Sequence, residues 1–393
     1  MSRTILYLTP YPPMRSGIAD YARAYRSAVE AHTDWRLTVA DGGPRVVGHA
    51  PRDLLATYRR VKEWRSEGRL RKVALVHAEI GFKQHDEFWT LFWLRRLMPE
   101  VPCCVTVHDP PLVLAPALYP LAFGLRGTGI RRALRMWDYT PVGRAVVRSV
   151  MGRTGGVFAL SETGTESLRG LVPDPLKLRT LPFLAYGWSA RRARPEGDAA
   201  RPPKVLFLGF WGPGKGIEVL LEAAERALSR KPGGLRLVLA GGVEEGGANR
   251  RYVESVQERI RRAAGLRAIE VMGYVPGEAL DGVFADAEIF VLPSTRTAGV
   301  STSSVLFRAM AAGLAIVASD VGAVREEVRH MATGLLVPPG DVAALTEALL
   351  LLAGDPALRM QLGRAARAHL EAVHDGTRVA QAAARTYEAL AQP

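Results

Sequence analysis

The sequence predicts an α/β protein made of two doubly wound domains with parallel sheets, and three observations predict it. Short apolar, strand-like runs alternate with helical runs through the first half of the chain, and the alternation restarts in the second half. A polar Arg/Pro/Gly-rich passage, SARRARPEGDAARPPK (Ser189–Lys204), separates the two series and reads as an exposed linker. Two Gly- or Ser-rich loops in the second series each join a strand's C-terminal end to a helix, where doubly wound sheets take their ligands. The expected division is 1–190 for the first domain, 191–203 for the linker, 204–375 for the second domain and 376–393 for a C-terminal helix that could cross back to the first. The two domains are expected to face each other across a cleft. One large α/β unit is the alternative; the linker disfavours it, because a chain of 393 residues usually splits.

In chain order, ILYLTP is a first strand, followed by a Pro/Gly loop and the helix IADYARAYRSAVEAH. LTVAD, a basic helix near Asp53–Glu67, VALVHAEI, a helix from Asp86 to Leu97, and CCVTVHD come next. GGVFALS then leads into the helix SETGTESLRGL, and LRTLPFLAY closes the series. After the linker come VLFLGF, a helix to about Ser229, LRLVLAG, helix Arg250–Ala264, IEVMGYV and helix Glu278–Ala285. IFVLP, a helix from about Ser303, AIVASD, helix Val324–Arg329 and LLVP follow. Val342–Leu352, Pro356–Val373 and Thr377–Ala391 are helical by their period.

Hydrophobic content of 48% with 23% charged residues fits a globular chain rather than a disordered one. Cys103 and Cys104 are neighbours in a strand and point to opposite faces, which disfavours a disulfide or a metal pair and suits buried thiols in a reducing cytoplasm. No basic segment with a long apolar core opens the chain, and no apolar run is long enough to span a bilayer. The net charge of +13 comes largely from arginines scattered over helices, and no nucleic-acid motif accompanies it. Leu112–Leu125, followed by Arg126, Arg131, Arg132 and Arg135, sets an apolar patch beside positive charge. Peripheral contact with an anionic membrane and an acceptor loop both account for that segment.

The passage FLGFWGPGKGIEVLLEAA (Phe207–Ala224) carries the most chemistry. A strand, a Gly/Pro turn and a helix start create a phosphate site: glycines let the backbone approach, and the first helical N–H groups are unpaired and favoured by the helix dipole. Gly212 and Gly214 supply the turn, and Lys215 adds a full positive charge. A second such loop, Ala298–Ser304, follows IFVLP; its Gly299, Val300, Ser301, Thr302, Ser303 and Ser304 lead into LFRAMAAG. Two phosphate loops in one domain imply a diphosphate-linked ligand.

At this point the chain resembles the retaining GT-B glycosyltransferases of family 4. The resemblance rests on GFWGPGKGIEVLLEA, on LVLAG with MGYVPGEALDGVFADAEIFVLPS, on AMAAGLAIVASDVGAVREEV and on TGLLVPPGDVAALTEALLLLAGDP. More loosely it rests on TPYPPMRSGIADYARA, VHAEIG, VTVHDPP and ALSETGTESL, so it spans nearly the whole chain. It implies a metal-independent, cofactor-free transfer of a hexosyl unit from a nucleotide-diphosphate sugar, with retention, in saccharide biosynthesis. Donor binding would fall mainly to the second domain and acceptor binding to the first. Lys215 stands at the family's lysine and would neutralise the departing diphosphate. Gly17 matches the glycine that lets the first helix approach the diphosphate or sugar. His108 matches a histidine near the donor sugar, where a neutral imidazole could bond a hydroxyl. Asp109, His77 and Glu79 would line the acceptor side.

Three expected contacts are missing. Val300 and Arg308 occupy the places of the family's two glutamates, and Phe210 that of an arginine five residues before the lysine. Arg296 could supply the missing charge, and Arg308 could reach ribose or phosphate. The alternative these losses favour is a non-catalytic GT-B subunit that binds a nucleotide or sugar beside a partner; an epimerase or phosphorylase on the same architecture is a third reading. The acceptor could be a lipid-linked saccharide, a polysaccharide or a small molecule.

Overall fold

The computed structural model describes residues 3–14, 16–40, 51–81, 85–110, 141–186, 201–242, 250–262, 268–295 and 303–392. The chain divides into two compact units, Met1–Leu184 with His374–Pro393, and Ala185–Val373.

In the first unit the order is β1 (Arg3–Leu8), α1 (Gly17–His32), β2 (Trp35–Val39), α2 (Pro51–Ser66), β3 (Leu75–Ile80) and α3 (His85–Leu97). β4 (Cys103–Val107), α4 (Pro141–Arg153), β5 (Gly156–Ala159), α5 (Glu162–Leu168) and β6 (Leu178–Thr180) follow. Six parallel strands pair in the order β2-β1-β3-β4-β5-β6. The order reverses between β1 and β3, which marks the C-terminal ends of those two strands as the switch point.

Local chemistry sets the helix starts. Ser16 caps α1 by accepting from the Ala19 amide at 3.0 Å, and Ser161 caps α5 in the same way through Gly164 at 3.0 Å. One face of the sheet is apolar: Leu6, Leu8, Val76, Ala78, Ile80, Val105 and Val107 join Phe88, Leu91 and Leu94 of α3 in one core. Parallel strands covered on both faces are expected to be apolar on both. The opposite face of this sheet departs from that rule.

The second unit runs β7 (Lys204–Phe210), α6 (Ile217–Arg230), β8 (Arg236–Gly242), α7 (Arg250–Arg262), β9 (Ile269–Gly273), α8 (Leu280–Ala285) and β10 (Ile289–Leu292). α9 (Ser304–Ala311), β11 (Ala315–Ser319), α10 (Val324–Glu327), β12 (Leu335–Val337), α11 (Val342–Gly354) and α12 (Pro356–Val373) complete it. Its six parallel strands take the order β12-β11-β10-β7-β8-β9, so the reversal lies between β7 and β10. α6 has its apolar stripe, Ile217, Leu220, Leu221, Ala224 and Leu228, fully buried in the core with β7 and β10.

Two expected helices are shorter than their periodicity. Gly277–Ala279 forms a 3-10 turn ahead of α8, and α10 stops at Glu327 because Val328 is extended at φ −108°, ψ 112°. The last helix, α13 (Gly376–Leu390), belongs to the first unit. Asp375 caps it, accepting from the Thr377 and Arg378 amides, and Gly376 lies 3.6 Å (from a virtual Cβ) from Ala28 of α1. No helix among the described residues is long and apolar enough to cross a membrane.

Candidate functional site

In the second unit the residues at the switch point are held by backbone geometry. The turn after β7 needs left-handed backbone at Gly214 (φ 85°) and Gly216 (φ 73°), a region that glycine enters without a Cβ clash. The Lys215 amide donates to Gly212 at 3.1 Å, closing the turn. The Gly214 carbonyl accepts from the Thr295 amide at 3.0 Å and the Ser294 hydroxyl at 3.2 Å, so the loop is tied to the end of β10. Gly216 sits so tightly against that end that a Cβ there would lie 1.7 Å from the Pro293 carbonyl oxygen. Lys215 is exposed at the crest of this turn, directly before α6. The loop backbone and an ammonium group therefore share one place beside a helix N-terminus, an arrangement suited to an anion.

Ser303 and Ser304 begin α9, on the neighbouring strand's side of the same switch point, both half-buried. Ser303 makes no side-chain cap. Arg308, one turn later, is 3.7 Å from the Asp281 carboxylate and lies over the Tyr186 ring at 5.9 Å. Its guanidinium is thus engaged within the unit. Arg296, Gly299, Val300, Ser301 and Thr302 lie outside the described residues, as do Leu112–Leu125 and Arg126, Arg131, Arg132 and Arg135. Phe210 ends β7 and is 48% exposed.

In the first unit the sheet face opposite the apolar core carries a chain of buried polar groups. The parallel register sets Tyr7 beside His77 and Glu79 beside Thr106, and residues two apart share a face, which adds His108 to the row. Glu79 is wholly buried and accepts two hydrogen bonds, from the Tyr7 hydroxyl to Oε1 at 2.6 Å and from His108 Nε2 to Oε2 at 2.6 Å. His77 bonds Thr106 Oγ1 through Nε2 and the Tyr387 hydroxyl through Nδ1, each at 2.7 Å. Tyr387 in turn meets the Tyr25 hydroxyl at 2.5 Å, so α1 and α13 close over this face. The Tyr21 ring stands nearly perpendicular to the His108 ring with centroids 5.0 Å apart.

Burial pushes the Glu79 carboxyl upward, but the His108 hydrogen bond, the neighbouring imidazoles and the Tyr7 hydroxyl together hold it below the usual carboxylate range. Burial pushes His77 down to about 4, with His108 adding to the shift and Glu79 opposing it. Glu79 is therefore an anion at neutral pH and His77 a neutral ring. Burial raises Tyr7, Tyr25 and Tyr387, which remain protonated donors. The thiols of Cys103 and Cys104 are free and buried; burial pushes Cys103 up to about 11 and raises Cys104 as well, which makes both poor nucleophiles.

The sequence expectations divide accordingly. Lys215, Gly212, Gly214, Ser303, Ser304 and Arg308 gather around the second unit's switch point. Gly17 starts α1 at the first unit's switch point, and a methyl there would meet nothing within 4 Å, so packing does not demand the glycine. His108 and Asp109 follow β4, with His108 nearly buried and Asp109 half-buried. His77 and Glu79 depart from their expected place on the acceptor side. Their side chains expose no surface, because α1 and α13 cover that sheet face, and a side chain of 0% exposure cannot touch an acceptor. Tyr7, Thr106, Tyr25 and Tyr387 were not foreseen. The available signal was the period-two run of polar residues, His77-x-Glu79 and Thr106-x-His108, in strands that should be apolar on both faces.

Comparison with known proteins bears on this arrangement. Residues 202–355, which hold the lysine turn and most of the second sheet, match the family described as Glycosyl transferases group 1. A GDP-mannose-dependent alpha-(1-6)-phosphatidylinositol monomannoside mannosyltransferase of Mycobacterium tuberculosis is 26% identical over 93% of each chain. The fold matches sucrose-phosphate synthase from Thermosynechococcus elongatus over 99% of both chains, with a TM-score of 0.71 at 21% identity. The chain has the GT-B fold, and its second unit matches the group 1 glycosyl transferases. A second solved structure of this fold, Anabaena HepE in complex with UDP and glucose, covers 99% of this chain with a TM-score of 0.67 at 17% identity. A phosphatidyl-myo-inositol mannosyltransferase of Mycobacterium tuberculosis is 29% identical over 70% of this chain and 61% of its own length.

Proposed function

We propose that this glycosyltransferase moves a glycosyl unit from a nucleotide-diphosphate sugar to an acceptor hydroxyl with retention of anomeric configuration. The observation that carries the reading is the Gly212–Gly216 turn. It holds exposed Lys215 at a helix start and is pinned to the end of β10 at the sheet's switch point. As the bond from sugar to diphosphate breaks, negative charge grows on the leaving phosphate. A fixed ammonium group and unpaired N–H groups at that point lower the barrier. Ser303 and Ser304 would add donors from α9, with Arg296, Gly299, Val300, Ser301 and Thr302 on the same loop.

In the first unit, the open space at Gly17 supports close approach of a ligand to the start of α1. His108 would bond a ligand hydroxyl there, with Asp109 beside it on the acceptor side. GDP-mannose is the donor to try first, because the relative that aligns over 93% of both chains is named as dependent on it. UDP-glucose follows, since HepE is seen with UDP and glucose. A saccharide or lipid-linked hydroxyl is the proposed acceptor.

The test is a calorimetric screen of GDP, UDP, ADP and dTDP sugars, followed by turnover measurements on wild type and Lys215→Ala. The variant is expected to lose on the order of 100-fold in kcat. An unchanged rate would remove Lys215 from the reaction, and binding without turnover by any acceptor would favour the non-catalytic alternative. The anomeric configuration of the product, read by NMR, decides retention.

A further inference from the structure

Glu79 has no place in the donor chemistry, yet it is a wholly buried carboxylate with both oxygens engaged. Its two oxygens are each committed to a donor, Tyr7 on Oε1 and His108 Nε2 on Oε2, with no exposed surface through which water could replace either. A carboxylate is acceptor-only, so the bond to Oε2 requires a proton on Nε2. Among the described residues Nδ1 of His108 has no hydrogen-bond partner, and it is not sealed from solvent. The ring cannot turn over to exchange its nitrogens without breaking the Glu79 bond and displacing the Tyr21 ring packed against it. His77, the other histidine on this face, is occupied at both nitrogens, and the tyrosines Tyr7, Tyr25 and Tyr387 stay protonated.

We propose that Glu79 is a positioning residue that fixes His108 in the Nε2–H tautomer and so offers Nδ1 outward as a hydrogen-bond acceptor. The group this selects is a ligand O–H, of the kind a sugar or acceptor hydroxyl carries; a diphosphate-diester oxygen, which has no proton to give at neutral pH, gains nothing there. Tyr7 completes the device. Its hydroxyl holds Oε1, so Glu79 cannot swing away from the imidazole, and this explains why a strand residue far from any substrate is a tyrosine. The consequence for turnover rests on the glycosyl-transfer reading; the tautomer does not.

The experiment uses the full-length protein labelled with 15N-histidine, and long-range 1H–15N spectra at pH 8, above the ordinary histidine range. His108 is assigned by the signals lost in His108→Gln. Wild type is expected to show a protonated Nε2 and a bare Nδ1. A proton on Nδ1, alone or with one on Nε2, overturns the proposal, and this readout is made on the wild-type protein. Glu79→Gln offers one amide oxygen where the carboxylate served two donors. It is expected to mix the tautomers and lower kcat about 10-fold or more, with the donor KM within about 3-fold. Adding Tyr7→Phe removes the competing donor and is expected to restore the Nε2–H form and part of kcat. An unchanged tautomer and rate in Glu79→Gln overturns the positioning role, because mere loss of fold would not be reversed by a second substitution. The expected tautomer in a protein that turns over no nucleotide sugar would sink the glycosyl-transfer reading and leave the tautomer standing.

Discussion

Gly216→Ala is the substitution that most directly tests how the lysine turn is built. The new methyl meets two independent obstacles. At φ 73° an L-residue with a Cβ costs roughly 1–2 kcal/mol over glycine. The Cβ would also lie 1.7 Å from the Pro293 carbonyl oxygen, so the turn must move away from β10 by about 1 Å or more. That movement breaks the bonds from the Thr295 amide and the Ser294 hydroxyl to Gly214, each worth about 1 kcal/mol net. The combined loss is about 3–4 kcal/mol, which in a unit of this size lowers the melting temperature by roughly 10 °C. A displacement of about 1 Å at a charge-bearing loop can also cost on the order of 100-fold in productive binding. The assay is thermal unfolding with and without nucleotide diphosphate, beside calorimetric titration. Gly354→Ala, outside the turn, is the control, since a Cβ there meets nothing within 4 Å. If Gly216→Ala melts and binds like wild type, the turn is not pinned to β10 and the reasoning fails.

Two further predictions concern the first unit. His77 is held down to about 4 in the fold and titrates near 6.5 when unfolded, so the unfolded state takes up a proton first as pH falls. Stability is therefore full above pH 7 and declines from about pH 6.5 to 4, by roughly 2 kcal/mol at pH 5, with Glu79 adding a loss of the same sign at lower pH. Hydrogen-exchange protection of the β3 amides should show that decline and His77→Gln should flatten it; a pH-independent wild type contradicts the buried neutral ring. Tyr387→Phe strips the partner from Nδ1 of His77 and should cost about 1–3 kcal/mol, more than Tyr25→Phe, which leaves that bond intact. Equal losses in urea unfolding would mean that α13 does not anchor His77.

Legibility from sequence followed the range of the interactions. The lysine turn could be read because its causes are local: a strand, glycines where the backbone must turn left-handed, and a helix within a dozen residues. The strand and helix order could be read because periodicity is local too. The polar row was misread because its parts are distant, with Tyr7 and Glu79 72 positions apart and His77 and Tyr387 310 apart. From sequence, His77 and Glu79 sit at a strand's end and look like ligand contacts. Only the return of α13 onto α1 covers them, and Tyr387 alone reads as an ordinary core aromatic of an amphipathic helix. Arg308 is a similar case, because its partners Asp281 and Tyr186 come from separate segments.

The strand ends of the two units are chemically unlike, and that difference has a physical consequence. At the end of β7 the chain offers backbone N–H groups and an ammonium. At the end of β4 it offers an imidazole backed by a buried anion of the neighbouring β3. At about 6 Å and an effective dielectric constant of about 20, one negative charge repels another by roughly 3 kcal/mol. A phosphate placed beside His108 would feel that repulsion from Glu79, while a neutral hydroxyl would not. The same buried carboxylate that is proposed to orient the imidazole would therefore favour a neutral hydroxyl over a phosphate beside His108. Replacing Glu79 by glutamine should therefore weaken the preference for hydroxyl over phosphate as well as disturb the tautomer. Inorganic phosphate should inhibit Glu79→Gln more strongly than wild type, and equal inhibition would show that Glu79 orients His108 without screening its ligand.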